Sequence, residues 1–186
     1  MAWHGQVKSR EWLTPGLVRI VLGGTGLTGL VVPDDTDTYV NVAIPPAGAP
    51  YGPVFDPKAV RDEHPQDLWP VRRRYTVRSW DERSGLLTLD FVVHGDEGVA
   101  GPWAAGTAPG DTLVFEGPGS GYRPDPEADW HLMVGEVSGI WCSGPSHTRR
   151  TTTGRPAGTA SRDAAIAGRA DSSPTSRCQS ASGSGR

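Results

Sequence analysis

A sharp change in composition near residue 136 limits which part of this chain can fold around a core. Residues 1–136 hold 11 Lys and Arg against 19 Asp and Glu, whereas residues 137–186 hold seven Arg, no Lys and two Asp. The second segment contains no Leu or Phe, and Trp141 is its only aromatic residue. So little apolar surface cannot offset the entropy lost on ordering the chain. The sequence therefore predicts one folded domain over residues 1–136 and a disordered, low-complexity tail over residues 137–186.

Three interpretations of this tail are open. It is a natural flexible extension, or the product of a reading frame lost near Glu136, or a basic arm that binds nucleic acid. Arginine without lysine, beside abundant Ala, Gly, Pro, Ser and Thr, is typical of GC-rich coding sequence translated out of frame. The nucleic-acid interpretation is the weakest, because the arginines are scattered and no aromatic residues are interleaved with them.

Composition excludes several classes of protein. The net charge of −3 over 186 residues gives no case for nucleic-acid binding by the whole chain. No apolar run approaches the roughly 20 residues that span a bilayer, and the N-terminus has no secretory pattern. The two cysteines, Cys142 and Cys178, lie in the tail, and the histidines show no metal-ligand spacing. These features favour a cytoplasmic protein without a metal site.

Six apolar or alternating runs predict β-strands separated by short turns. They cover residues 7–13, 17–22, 38–44, 73–80, 86–94 and 112–116. With 25 Gly and 17 Pro in the chain, this pattern favours a mainly β fold, a six-stranded antiparallel barrel. One short helix is predicted at residues 102–105, since proline suits a first helical position. A further helical piece is expected near residues 57–64, within a Pro-rich excursion over residues 45–70.

The strand around Tyr75 carries chemistry suited to a large phosphorylated ligand. Along a strand, Arg73 and Tyr75 share one face, and Arg74 and Thr76 share the other. Arginine binds phosphate oxygens, tyrosine stacks on flat rings, and threonine hydrogen-bonds to ring nitrogens. The alternative is an ordinary exposed basic strand with its tyrosine packed in the core.

A second segment, residues 98–103, combines small residues with the start of the predicted helix. Glycines let a backbone approach a ligand closely, and N–H groups that open a helix favour anions such as pyrophosphate. Trp103 either covers an aromatic ring or packs the helix on the barrel. His94, which closes the preceding strand, either lies beside a ligand or is a surface residue. The Gly-rich stretch 117–121 lacks the Gly-Lys ending of a nucleotide-binding P-loop.

Three segments together, residues 73–78, 90–95 and 98–104, resemble the N-terminal flavin domain of siderophore-interacting proteins. These proteins are FAD-dependent ferric-siderophore reductases of the ferredoxin–NADP reductase superfamily. The resemblance implies a flavin-binding β-barrel with FAD as its cofactor. It also implies cofactor contacts from ten residues: Arg73, Tyr75, Thr76, Val92, His94, Gly98, Val99, Ala100, Gly101 and Trp103.

The resemblance further implies an oxidoreductase of iron acquisition. In the family, NAD(P)H reduces the flavin, and the flavin passes electrons to a ferric siderophore; a ferredoxin is a second possible donor. Relatives continue after the position of Glu136 into an α/β nicotinamide domain. Residues 137–186 show no alternation of strands and helices, so we expect that domain to be missing and the activity impaired. A non-catalytic flavin-binding barrel, an inactive remnant and a cofactor-free interaction domain are the alternatives. No catalytic side chain is assigned, because the chemistry belongs to the flavin.

Overall fold

The computed structural model describes residues 2–125 and 127, together with the backbone of residues 130–134 and 179–183. Six antiparallel strands close into a barrel in the order β1-β2-β5-β4-β3-β6. Their bounds are β1 (Ala2–Thr14), β2 (Leu17–Gly23), β3 (Tyr39–Ile44), β4 (Val71–Asp81), β5 (Leu86–Val92) and β6 (Thr112–Gly119). The predicted barrel and each of its six predicted strands are confirmed.

Alternation along the strands builds the core of the barrel. Val18, Ile20 and Leu22 of β2 point inward and are fully buried, as are Leu87, Leu89 and Phe91 of β5. The residues between them point outward. Arg19 and Asp90, directly opposite each other on these two strands, form a bidentate ion pair with both N···O distances at 2.8 Å. Side-chain contacts therefore stabilise the β2–β5 pair on both faces. Apolar side chains pack on the inner face, and a charge-assisted ion pair forms on the outer face.

The described residues contain two α-helices, one at each place where the sequence predicts helical structure. Helix α2 (Ala100–Gly106) covers the predicted helix at residues 102–105, and α1 (Pro57–Glu63) is the helical piece expected in the excursion. Helix α1 begins where it does because the side chain of Asp56 accepts hydrogen bonds from the N–H groups of Lys58 and Ala59. Pro57 occupies its first turn, where a missing N–H has no cost. Short 3₁₀ turns lie at Thr25–Leu27 and Gln66–Leu68.

A second, two-stranded sheet lies outside the barrel. It pairs β7 (Trp130–Val134) with β8 (Gln179–Gly183) in antiparallel register. Strand β8 belongs to the segment that the composition predicts to be disordered, and there the backbone is extended and paired. The other residues of 137–186 and the expected domain boundary lie outside the described residues, so their disorder and the lost reading frame stay predictions. None of the described helices is long and apolar enough to cross a membrane.

Candidate cofactor-binding site

The wall of the barrel opens between β4 and β5. Their ladder ends at the pair Val77–Leu89, next to a register shift between Val77 and Ser79. Beyond this point residues 71–76 of β4 pair only with β3, and residues 90–92 of β5 pair only with β2, among the described strands. A bulge of this kind increases strand twist and ends pairing. We call the gap between residues 71–76 and 90–92 the seam.

The backbone of β4 presents hydrogen-bonding groups to the seam. The N–H of Val77 donates to the C=O of Thr38, on the β3 side, at 2.8 Å. Because successive residues of an antiparallel strand direct these groups to opposite edges, those of Thr76 and Arg74 point toward the seam. The side chain of Thr76 lies on the outer face, opposite Tyr39. The backbone groups of Thr76 therefore face this opening.

Arg73 and Tyr75 share the inner face of β4, as strand alternation predicts. They pair with Val42 and Val40, and both valines are fully buried. Arg73 is nevertheless exposed, because β5 no longer continues beside it. Tyr75 is half-buried, and its ring packs on that of Phe91 with the centroids 4.2 Å apart. The end of the ladder thus turns two inward-facing side chains into a ligand-accessible pair.

The phenol of Tyr75 is neutral at physiological pH. Burial raises the pKa of Tyr75 to about 12, and the positive charge of nearby Arg73 opposes that rise. A neutral phenol can both donate and accept a hydrogen bond. Within the described part of the chain, no group hydrogen-bonds to this hydroxyl. The hydroxyl is therefore available to a ligand in the seam.

The three consecutive arginines of β4 have different partners. The guanidinium of Arg74 lies 4.0 Å above the ring centroid of Tyr39, and Arg72 forms an ion pair with Glu116 at 2.5 Å. Arg73 donates from Nη1 to the C=O of Arg72 at 2.9 Å, and no described carboxylate or ring pairs with it. Of these three arginines, Arg73 is therefore the one best placed to bind an anion.

A glycine-rich turn continues β5 toward α2 on the other side of the seam. His94 is exposed, and its C=O accepts a hydrogen bond from the N–H of Glu97 at 3.2 Å. Gly95 and Gly98 adopt φ of +58° and +76°, a region that other residues enter only at a cost. A Cβ at Gly98 would meet nothing within 4 Å. The backbone just before α2 therefore faces open space.

The first turn of α2 packs tightly on the end of β5. A Cβ at Gly101 would lie 3.1 Å from the C=O of Val92 and 3.3 Å from the Cα of Val93. Ala100 and Gly101 are both buried, and Val99, at the N-cap, is half-buried. Close packing against β5 therefore accounts for Gly101 without any ligand. Val99, Ala100 and Gly101 can therefore contact a ligand only through their backbone N–H groups. These groups have no hydrogen-bond partner inside the helix.

Trp103 of α2 contacts Phe91, which packs against Tyr75 beneath the seam. Its ring lies 5.6 Å from that of Phe91, which in turn contacts Tyr75. This contact supports packing of the helix on the barrel, one of the two alternatives for Trp103. Phe91 is absent from the predicted site residues, although it links the other two rings. The alternation of β5 predicts that Phe91 points inward, but only the fold shows that it lies under the seam.

Fold and seam together define a class of protein. A closed barrel of six antiparallel strands with two short helices matches the flavin-binding barrel fold. The chain belongs to the siderophore-interacting FAD-binding domain family, whose model matches residues 6–122. The resemblance of the sequence to this family is thereby confirmed. The matched range contains the whole seam, the glycine-rich turn and α2.

Individual relatives agree with this assignment. An uncharacterised protein of Mycobacterium tuberculosis is 39% identical over 137 residues, which cover 73% of this chain and 48% of that protein. Ferric vibriobactin reductase ViuB of Vibrio cholerae is 35% identical over 138 residues, which cover 70% of this chain and 48% of the reductase. The crystal structure of a siderophore utilization protein from T. fusca is 34% identical, with a TM-score of 0.54 over 67% of this chain and 48% of that one. The chain thus spans about half the length of the curated relatives it matches.

Proposed function

We propose that this chain binds FAD in the seam and forms the flavin-binding part of a ferric-siderophore reductase. The observation that carries the proposal is the end of the β4–β5 ladder at Val77–Leu89. It leaves around one opening a polar backbone edge, the hydroxyl of Tyr75, which has no hydrogen-bond partner among the described residues, and the guanidinium of Arg73, which no described carboxylate neutralises. Membership of an FAD-binding domain family supports FAD as the ligand.

The groups around the seam fit the parts of FAD. The backbone edge of Arg74 and Thr76 suits the polar rim of a flat heterocycle, and the neutral phenol of Tyr75 suits a sugar-alcohol hydroxyl. Arg73 suits a phosphate, because its planar fork forms charge-assisted hydrogen bonds to phosphate oxygens. The open space before Gly98 leaves room for the diphosphate to approach the backbone. When bound, FAD supplies the redox chemistry, since it takes up two electrons together and gives them up singly.

We further propose a ferric siderophore as the electron acceptor, and NAD(P)H or a reduced ferredoxin as the donor, in the cytoplasm. The V. cholerae relative is named as a ferric vibriobactin reductase, which supports the substrate class. The exposed arginines of β4 provide positive charge beside the seam and would attract an anionic ferric chelate. This chain's residues would hold and orient the cofactor, and the bound flavin would supply the electrons for the acceptor.

A second candidate is a barrel that binds FAD but does not catalyse electron transfer. The observation that favours it is the composition of residues 137–186, which lacks the alternating strand and helix patterns of a nicotinamide domain. Both candidates require FAD to bind, and they differ in whether the bound flavin is reduced by a donor at a useful rate.

Ligand titration tests the shared claim. The purified full chain is titrated with FAD and, separately, with riboflavin, and binding is followed by flavin fluorescence. We expect saturable FAD binding that is at least about tenfold tighter than riboflavin binding, because riboflavin lacks the phosphates that Arg73 would contact. A folded chain that takes up no FAD contradicts the proposal. Equal affinity for the two ligands contradicts the phosphate-binding role of Arg73.

A further inference from the structure

Asp37, in the loop before β3, holds the chain that leaves β6. Its Oδ1 accepts hydrogen bonds from the backbone N–H groups of Gly121 and Tyr122, each at 2.9 Å. In the opposite direction, the N–H of Thr36 donates to the C=O of Tyr122 at 3.2 Å. The two Asp37 contacts join residues 84 and 85 positions apart in the chain. This loop and the exit from the barrel therefore form one connected unit.

Asp35 also connects this loop to the chain that leaves β6. The hydroxyl of Ser120 donates to its Oδ2 at 2.7 Å, and the Nε of Arg123 donates to its Oδ1 at 2.8 Å. These hydrogen bonds, that of Ser120 first, hold the pKa of Asp35 below its usual value, so the carboxylate is ionised at neutral pH. We call the contacts of Asp35 and Asp37 with residues 120–123 the clasp.

Thr38 connects the clasp to the seam. Thr38 is buried, and its hydroxyl lies 2.9 Å from the C=O of Pro33 and 3.0 Å from that of Asp35. Its own C=O accepts the hydrogen bond from the N–H of Val77 at 2.8 Å. Val77 is the residue of β4 at which pairing with β5 ends. The loop held by the clasp is therefore hydrogen-bonded to β4 at the point where the seam begins.

We propose that Asp35 and Asp37 are positioning residues for the flavin-binding seam. By fastening their loop to residues 120–123, they hold Thr38 against β4 and keep the backbone edge of Thr76 turned toward the opening. The clasp includes none of the residues predicted to contact the cofactor, so it acts through β4 and not on the ligand itself. The inference rests on the proposed binding of FAD in the seam.

Substitution of Asp37 in the full chain tests the effect on ligand binding. Asp37→Ala is expected to raise the dissociation constant for FAD about tenfold, because two hydrogen bonds to Oδ1 are lost. Asp37→Asn keeps an Oδ1 acceptor and is expected to restore the affinity to within about threefold of the wild type. Asp34→Ala removes the same charge from an exposed neighbour and is expected to change the constant less than about twofold. Equal affinity in the wild type and Asp37→Ala overturns the proposal.

Amide hydrogen exchange measured without FAD tests the role of the clasp independently of flavin binding. In Asp37→Ala, we expect the Val77 amide to lose about tenfold in protection, while amides of the β2–β5 ladder are unchanged. Unchanged protection at Val77, or an equal loss in both ladders, overturns the positioning role. A wild-type chain that takes up no FAD overturns only the proposed function, and this exchange pattern still decides the clasp. If Asp37→Ala does not fold, Asp35→Asn, which removes the charge facing Arg123, is measured in the same two ways.

Discussion

The ring of Tyr75 packs 4.2 Å from the ring of Phe91, centroid to centroid, although the ladder between their strands has already ended. Side-chain contact across the inner face thus continues past the last backbone pair. The barrel remains packed beneath the seam while the backbone groups above that packing are left unpaired. A flat ligand can therefore be bound at this position without opening the core.

Tyr75 makes the stability of the ligand-free chain sensitive to alkali. Its folded-state pKa of about 12 lies above the unfolded value of about 10, so its contribution is fully present below pH 10 and is lost as the pH rises through 12. The expected loss is on the order of 2 kcal/mol. Urea unfolding at a series of pH values between 9 and 12 measures it. Tyr75→Phe is expected to show a shallower decline, and an identical decline in both proteins contradicts the assignment.

Arg73→Ala is expected to weaken FAD binding about 10- to 100-fold, because a charge-assisted hydrogen bond contributes about 1.5–3 kcal/mol. Fluorescence titration measures the change. Arg83→Ala is the matched control, since Arg83 is also exposed but lies in the turn between β4 and β5, beyond the opposite end of their ladder. Equal dissociation constants for the Arg73 and Arg83 variants would remove the phosphate contact from the proposal.

Gly101→Ala is expected to destabilise the chain by about 1–3 kcal/mol, because the added methyl group must displace the end of β5 or α2. Gly106→Ala, at the other end of the same helix, adds its methyl group where no atom lies within 4 Å. That control is expected to be neutral or slightly stabilising. Thermal unfolding of the two variants compares them directly. Similar melting temperatures would show that α2 does not pack on β5 in this way.

Bound FAD is expected to be reduced slowly by NADH and NADPH, since residues 137–186 carry no pattern typical of a nicotinamide domain. Stopped-flow absorbance of the flavin band under anaerobic conditions measures the rate, with dithionite as a control for reducibility. A reduced ferredoxin, tested in the same way, shows whether another donor can act. Rapid, saturable reduction by either nicotinamide would refute the expectation of impaired activity.

Much of this architecture could be predicted from local sequence. Alternating runs located all six barrel strands, because inward and outward residues alternate along each strand of a closed sheet. The same alternation placed Arg73 and Tyr75 on one face. Helix α1 was predicted only as a helical piece, because it is a short element that depends on the cap provided by Asp56. The ten predicted cofactor contacts remain predictions, although the structure brings most of their segments to the two sides of one opening.

The sequence by itself determined the strands, the inner and outer faces and the family, because these depend on residue type and on spacing between near neighbours. Only the tertiary structure decided where the barrel wall opens, that Phe91 lies beneath the opening, and that Asp35 and Asp37 hold residues 120–123. Each of these depends on where a ladder ends or on contacts between residues far apart in the chain. No local pattern reports such pairings, because they are set by how the closed sheet twists and by which strands become neighbours.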